Sequence, residues 1–280
     1  MPTSGSSPTG STAVFSPDLP TLASVGLVCA IHQPNLFPRL STVAKLAAAD
    51  VWIVLDDVQF TRRDYQHRVR IARPCEPDSY RWLSVPTHLP YGRATLIKDA
   101  RLVDPARSLR RVDQQLRQHY GGGPHWPQLH RRLEEVLDLF EGTDRTAVVA
   151  EASTQLLLAM LGWKGTIVRS SDFSVRSGRS ERLADLCSRV GADAYLCGSG
   201  GMSYLAPGPF TTAGVEVVPF AVPEGGVWAG SRHASALGPL VAAGPRVLSA
   251  RFRSLPGSVA RTTVLTGPAS VRGRVRSWTA

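Results

Sequence analysis

The sequence predicts an α/β fold with a mostly parallel, Rossmann-like sheet and a helical insertion. Short, continuous apolar runs at residues 27–31 and 51–55 have the length of strands that are buried on both faces. A segment with helical spacing lies between them, and a second alternation of apolar runs and helical segments begins at residue 165. Residues 105–161 show helical periodicity only, which indicates the insertion.

The first strand-helix-strand unit covers residues 27–55. Apolar residues recur at helical spacing over residues 40–49, and Ser41 is predicted to cap this helix. Such a unit is typical of neighbouring parallel strands. Ligands of parallel sheets bind beyond the carboxyl ends of the strands, so we expect His32, after the first strand, and Asp56, after the second, to lie at a binding site.

The same rules assign the later elements. A third strand is predicted at residues 81–86, and helices at 105–119 and 128–161 form the insertion. The alternation then resumes with a strand at 165–169, a helix at 181–190 with Ser180 as its cap and Gly191 at its end, and strands at 194–197 and 215–220.

Charge and composition divide the chain into a folded domain and two flanking segments. The net formal charge is +10, but no Asp or Glu follows Glu224 and eight arginines do. We predict a basic, partly flexible tail at residues 246–280, which is either a solvated arm or a contact with nucleic acid or another polyanion. Residues 1–26, rich in Ser, Thr, Pro and Gly, are predicted to be a disordered leader. The α/β domain then covers residues 27–245, with the insertion at about 105–161.

The cysteines and the apolar runs indicate the compartment. Cys29, Cys75, Cys187 and Cys197 form no CxxC or CxxH pair, so neither a metal site nor a small disulfide framework is predicted. No basic segment precedes the first arginine, Arg39, and no apolar run reaches the roughly 18 residues that a membrane span requires. We therefore expect a cytoplasmic protein with reduced cysteines and no membrane partner.

Acidic and basic side chains are concentrated in residues 54–71. Asp56 and Asp57 are adjacent carboxylates at a predicted strand end and are candidate catalytic residues. If both continued the strand they would point in opposite directions, and only one would face a ligand. Arginines, whose guanidinium groups suit carboxylate or phosphate, follow them. The predicted substrate-binding residues here are Gln59, Arg63, His67, Arg68 and Arg70. The alternative is that the acids and arginines pair with each other on a solvated face.

His32 is the third catalytic candidate. A turn at Pro34 would present the imidazole of His32 and the amides of Gln33 and Asn35 on one rim, where they could bind or deprotonate a substrate amine or hydroxyl. A lone histidine at such a position is commonly structural. The carboxylates and arginines of residues 54–71 favour the functional interpretation.

A glycine-rich segment after a predicted strand is a further binding candidate. Gly198, Ser199 and Gly200 could offer backbone N–H groups to an anion or allow a substrate to approach the backbone closely. The spacing matches neither a dinucleotide-binding motif nor a P-loop. A plain tight turn is the alternative.

Several blocks of this sequence resemble the WbqC-like protein family. They are IHQPNLFP at 31–38, LDDVQF at 55–60, RVRI at 68–71 and WLSVP at 82–86, and the similarity continues through YLCGSGG at 195–201 to about residue 220. The resemblance implies a bacterial protein of polysaccharide or specialised-metabolite biosynthesis that acts on a small amino- or acyl-bearing substrate. The chain departs from the family pattern at His67, where the family usually has Asn.

The leading functional hypothesis is a transferase or condensing enzyme that joins an acyl or aminoacyl unit to an amine on a small anionic substrate. His32 or Asp57 would be the general base, and the arginines would hold a carboxylate or phosphate. This reaction requires no cofactor. A nucleotide-dependent ligase or nucleotidyltransferase that uses ATP and Mg²⁺ is one alternative, and a non-catalytic protein that binds polyanions through the basic tail is the other.

Overall fold

A computed structural model describes residues 26–73 and 76–255 of the chain. The strands are, in chain order, β1 (Val28–His32), β2 (Val51–Val54), β3 (Arg68–Arg73), β4 (Glu76–Ser84), β5 (Thr87–His88), β6 (Arg101–Leu102), β7 (Thr166–Arg169), β8 (Ala194–Gly198) and β9 (Glu216–Phe220). The helices are α1 (Leu40–Ala47), α2 (Pro105–Tyr120), α3 (Trp126–Leu137), α4 (Leu139–Gly142), α5 (Thr146–Met160), α6 (Arg179–Arg189), α7 (Ser199–Met202), α8 (Gly208–Ala213) and α9 (Leu237–Arg253). The predicted leader up to residue 25 and the predicted tail from residue 256 lie outside the described residues.

Five strands form one parallel sheet in the order β7-β2-β1-β8-β9. β1 lies at its centre and pairs with β2, which places His32 opposite Val54. From β1 the chain first adds strands on one side and later, after α6, on the other side. The prediction of an α/β fold with a parallel, Rossmann-like sheet is confirmed.

The sheet is buried on both faces because the side chains of its central strands alternate between two cores. Ala30 and Trp52 belong to the core formed with α1, α2, α3, α5 and α9. Cys29 and Ile53 belong to the core formed with α6 and α8, where Cys29 lies 3.4 Å from Cys187 between sulfur atoms. Burial on two sides explains why these strands are continuous apolar runs in the sequence.

The predicted third strand does not join the parallel sheet. It is the second half of β4, which pairs antiparallel with β3 from Arg68 opposite Ser84 to Arg73 opposite Glu76. The two residues that link β3 and β4 are too few for a parallel crossover, so only a hairpin can form. The sequence interpretation also missed β3, although its buried Val69 and Ile71 alternate with arginines as a half-buried strand requires. The side chains of 69 and 71 face the core.

Both predicted helix caps are wrong, because each helix begins before the predicted serine, with Arg39 and Gly178 at the two N-cap positions. Ser41 lies inside α1, and its backbone N–H donates to the carbonyl oxygen of Ser231 at 3.2 Å. Ser180 lies inside α6, and its hydroxyl accepts the N–H of Ala206 at 2.9 Å. The predicted end of that helix is confirmed, since Gly191 follows it with a left-handed φ of 69°.

The predicted insertion consists of four consecutive helices, α2 to α5. At the other end of the chain, α9 is kinked at Gly244 and continues to Arg253, with Leu248 and Phe252 buried. The predicted start of the tail at residue 246 is therefore too early, because these residues pack on the domain. Among the described residues, no helix combines the length and the apolar character that crossing a membrane would need.

Candidate functional site

The carboxyl ends of four parallel strands bring polar groups together at one edge of the sheet. β1 ends at His32, β2 ends two residues before Asp56, β7 ends directly before Ser170, and β8 ends at Gly198. Neighbouring strands of a sheet lie about 4.8 Å apart, so consecutive strand ends are within side-chain reach of each other. We call this region the carboxyl edge. It contains the predicted catalytic residues and several residues that the sequence did not indicate.

Asp56 is anchored by two serines that follow β7. Its side chain is buried, with 4% of its surface exposed. Oδ1 accepts the N–H of Ser171 at 3.1 Å, and Oδ2 accepts the hydroxyl of Ser171 at 2.8 Å. The backbone N–H of Asp56 donates to the hydroxyl oxygen of Ser170 at 3.2 Å. Asp56 is therefore a fixed, hydrogen-bonded carboxylate.

Asp57 reaches the same serine from the next position of the chain. The hydroxyl of Ser170 lies within hydrogen-bonding distance of both Asp56 and Asp57. Neither residue continues the strand, because β2 ends at Val54, so the strand alternation that would point the two carboxylates apart does not apply. Both carboxylates can thus act on one region at the edge.

The partner of Asp57 is Arg182, on the first turn of α6, and not an arginine of the preceding segment. Within the described residues neither carboxylate forms an ion pair with the arginines between 62 and 70. The alternative in which these neighbours neutralise each other is therefore wrong. The sequence held no local signal for Arg182, because it lies on another helix more than a hundred residues along the chain.

His32 is held by a side chain of its own turn. The amide Nδ2 of Asn35 lies 3.1 Å from Nε2 of His32. An amide N–H only donates, so Nε2 is the acceptor and the proton of the neutral ring is on Nδ1. Burial lowers the pKa of His32 well below 6.5, and the positive charges of Lys45 and Arg39 lower it further. At neutral pH the ring is uncharged.

Lys45 is a buried amine beneath the carboxyl edge. It lies on α1 with 7% of its surface exposed, and Nζ donates to the carbonyl oxygen of Ile31 at 3.1 Å. Burial lowers the pKa of Lys45 to about 8, although the nearby thiols of Cys197 and Cys29 oppose that shift. The sequence analysis missed it. Its signal was a single charged residue in an otherwise uncharged helix over residues 40–49.

A second loop packs against the turn that carries His32. Nε2 of Gln66, a residue with 1% exposure, donates to Oε1 of Gln33 at 2.6 Å. The N–H of Leu36 donates to the carbonyl oxygen of Tyr65 at 2.9 Å. These bonds fix Oε1 of Gln33 inside the protein. Within the described residues, the Nε2 group of Gln33 donates no hydrogen bond.

The predicted binding residues Arg68 and Arg70 lie on the outer face of the hairpin. The guanidinium carbon of Arg68 is 4.5 Å from the ring centre of Trp82, and that of Arg70 is 4.4 Å from the ring centre of Tyr80. Arg68 also donates to the backbone carbonyl oxygens of Asp64 at 3.2 Å and of Arg63 at 2.5 Å. These contacts indicate that Arg68 holds its loop in place.

The other predicted residues of this segment lie in separate surroundings. Nε2 of Gln59 donates to the carbonyl oxygen of Arg93 at 2.5 Å, and Arg63 is exposed. The ring of His67 lies 5.3 Å from that of Phe60, between ring centres, and burial lowers the pKa of His67 to about 4. None of these contacts places Gln59, Arg63 or His67 beside Asp56 or Asp57.

The predicted glycine loop is a short helix. Gly198 is the last residue of β8, and Ser199 and Gly200 belong to α7. A Cβ atom at Gly198 or Gly200 would meet nothing within 4 Å, whereas one at Gly201 would lie 2.6 Å from the sulfur of Cys197. Close packing therefore requires glycine at 201 and leaves open space at 198 and 200.

An ion pair between the buried Glu151 and the exposed Arg169 lies near Asp56. Glu151, on α5, is 6% exposed and accepts two bonds from Arg169, at 2.9 Å from Nε and 2.8 Å from Nη2. Burial raises the pKa of Glu151, the bond with Arg169 lowers it, and the charge of Asp56 raises it again. The carboxyl edge thus contains a third carboxylate, which the sequence did not indicate.

The fold and the edge define an α/β protein with a five-stranded parallel sheet and a polar site at the carboxyl ends of its strands. The sequence profile of the WbqC-like protein family matches residues 33–224, which cover the insertion and every strand of the parallel sheet except β1. The chain belongs to the WbqC-like protein family.

One relative and the solved structures complete the comparison. The uncharacterized protein Rv1507c of Mycobacterium tuberculosis is 25% identical to this chain over 191 residues, which are 68% of this chain and 80% of the relative. No solved structure matches the chain.

Proposed function

We propose that this protein is a cytoplasmic biosynthetic enzyme that transfers an acyl or aminoacyl unit to an amine at the carboxyl edge. The observation that carries the proposal is an uncharged, oriented histidine, His32, on the strand next to two anchored carboxylates. Amide formation needs a base near the attacking nitrogen and donors near the developing oxyanion. The edge offers groups of both kinds.

His32 is the proposed base. In the resting state Nε2 accepts the N–H of Asn35, and an attacking amine that replaces this N–H would give its proton to Nε2. Lys45 and Arg39 disfavour the imidazolium, so it would pass the proton on to the leaving group readily. The same low pKa keeps His32 unprotonated at neutral pH, as a general base requires.

Asp57 is better suited to hold the amine than to remove its proton. One carboxylate oxygen faces the hydroxyl of Ser170 and the other faces Arg182. A carboxylate fixed in this way attracts a cationic amine and places it near the strand ends. Of the two base candidates that the sequence left open, this geometry favours His32.

Gln33 is the proposed oxyanion donor. Gln66 fixes its Oε1, so the Nε2 group is oriented before a substrate arrives. A donor fixed in advance stabilises negative charge in the transition state at no cost of reorganisation. Gln33→Leu should therefore lower kcat more than it raises KM.

A mixture of substrates tests the proposal. The protein is incubated with pooled amino acids, amino sugars and acyl thioesters, with and without ATP and Mg²⁺, and new amide products are detected by mass spectrometry. We expect products from the wild type without nucleotide, and at least 100-fold lower rates for His32→Gln. The matched control is His88→Gln, an exposed histidine of β5 that lies away from the edge, with an expected wild-type rate.

Two results would overturn the proposal. One is a folded His32→Gln variant that forms the product at the wild-type rate, which would remove the base. The other is product formation that depends strictly on ATP and Mg²⁺, which would favour the ligase alternative.

A further inference from the structure

Two adjoining cavities lie on α2, and the first of them lies between this helix and the β3–β4 hairpin. The first encloses about 330 Å³, and the residues that line it include Arg73, Glu76, Arg81, Gln115, Gln118 and His119. The second is an open depression of about 500 Å³ along α2 alone, lined by Arg107, Arg110, Arg111, Gln114, Gln115 and Gln118. Because Gln115 and Gln118 line both, the cavities form one continuous depression, which we call the α2 groove.

The α2 groove is distinct from the carboxyl edge. Arg68, at the start of β3, belongs to the loop beside the edge, and Arg73, at its other end, lines the groove. Five residues of extended strand separate them by about 16 Å. No step of the proposed reaction uses a residue of the groove.

Local structure places the arginines of the groove in two groups, one on the hairpin and one on α2. On α2, residues 107, 110, 111, 114 and 118 recur at three- and four-residue intervals, which is one face of a helix. On the hairpin, Arg81 pairs with Ile71 and Arg73 pairs with Glu76, so both arginines lie at the same end. The hairpin arginines thus line the first cavity and the α2 arginines line the second, and the two cavities meet at Gln115 and Gln118.

These cations have no carboxylate to neutralise them in the described part of the chain. The ion pairs found there involve none of the groove arginines, Arg73, Arg81, Arg107, Arg110 and Arg111. Glu76 is the one carboxylate among the described residues that line the two cavities. The described lining of the groove thus carries five arginines and one carboxylate, which suits a ligand with a phosphate group.

Two polar atoms of the groove are buried without a hydrogen-bond partner in the described residues. They are Nε2 of His119 and Oε1 of Gln115. Burial and the charges of Arg73 and Arg81 lower the pKa of His119, so its ring is neutral at pH 7. An amide oxygen accepts hydrogen bonds and cannot bind an anion, so Gln115 needs a ligand that also carries a donor such as a hydroxyl.

We infer that the α2 groove binds a small phosphate ester that carries hydroxyl groups. The phosphate lies between Arg73 and Arg81, and a hydroxyl donates to Gln115. The first cavity has the volume of a small-molecule site rather than that of a strand of nucleic acid. The lining of the first cavity therefore suits a ligand with an anionic group at one end and hydroxyl groups at the other.

Calorimetry at 150 mM NaCl tests this inference with glucose 6-phosphate, inorganic pyrophosphate and a single-stranded RNA oligonucleotide as probes. We expect glucose 6-phosphate to bind, and Arg73→Gln and Arg81→Gln each to weaken its binding at least tenfold. Gln115→Leu should weaken glucose 6-phosphate binding more than pyrophosphate binding, because pyrophosphate carries no sugar hydroxyl groups. The matched control, Arg251→Gln on the exposed face of α9, should bind like the wild type.

Three results would overturn the inference. The first is the absence of glucose 6-phosphate binding at 5 mM, taken as about the top of a useful range. The second is an equal loss of glucose 6-phosphate affinity in Arg251→Gln, which would show a general effect of charge. The third is RNA binding that glucose 6-phosphate does not displace. All of these variants change exposed or half-buried polar residues. Circular dichroism on each variant confirms that the fold is retained.

Discussion

Removing the hydroxyl of Ser170 should loosen the carboxyl edge measurably. Ser170 is fully buried, and its hydroxyl accepts the N–H of Asp56 while its one proton goes to Asp56 or Asp57. Ser170→Ala therefore removes one neutral hydrogen bond of about 1 kcal/mol and one to a charged group of about 1.5–3 kcal/mol. The expected loss of unfolding free energy is about 2–4 kcal/mol.

Thermal and urea unfolding followed by circular dichroism measure this loss. For a domain of this size each kcal/mol lowers Tm by about 2–4 °C, so the expected decrease is about 5–15 °C. Ser171→Ala should cost less, because its backbone N–H still donates to Asp56. The matched control is Ser254→Ala at the exposed end of α9, with an expected change within about 0.5 kcal/mol. If Ser170→Ala is no less stable than Ser254→Ala, the serine does not hold the carboxylates.

Two further predictions concern pH and packing. Burial lowers the pKa of His32 and of His67, the latter to about 4, whereas an unfolded histidine titrates near 6.5. The stability that these two neutral rings give the folded protein is complete above about pH 6.5 and is lost as the pH falls toward the folded pKa. Urea unfolding should therefore give a lower free energy of unfolding at pH 5 than at pH 7.5, and a flat profile would contradict this. Gly238→Ala should cost about 1–3 kcal/mol, because its Cβ would lie 2.5 Å from the carbonyl oxygen of Ala72. Gly142→Ala, where nothing lies within 4 Å, is the control for chemical denaturation, and an equal loss in both would refute the packing argument.

Apolar periodicity predicted the elements of the central sheet well, because burial on two faces leaves a continuous apolar run in the sequence. It failed where an element depends on a distant partner. The caps assigned to Ser41 and Ser180 were wrong, since both serines lie inside their helices, where they contact Ser231 and Ala206 far along the chain. The strand at 81–86 was real, but its antiparallel partner β3 was missed, because the pattern of one strand does not indicate which strand it pairs with.

The candidate site shows the same division. The position of His32 and Asp56 after two adjacent strands was visible in the sequence, and the structure places both at the carboxyl edge. Arg68 was assigned to substrate by its nearness in the sequence, yet in the fold it stacks on Trp82. Whether the predicted residues act in catalysis stays a prediction.

By itself, the sequence determined the fold class, the order of the sheet-forming runs and the strand ends at which polar residues gather, because these follow from local hydrophobicity and chain direction. The tertiary structure alone decided the partners of those residues. It brought Ser170 and Arg182 to Asp57 and placed Lys45 under His32. These contacts join segments up to about 125 residues apart in the sequence, and their geometry depends on how the helices pack on the sheet, which no local pattern records.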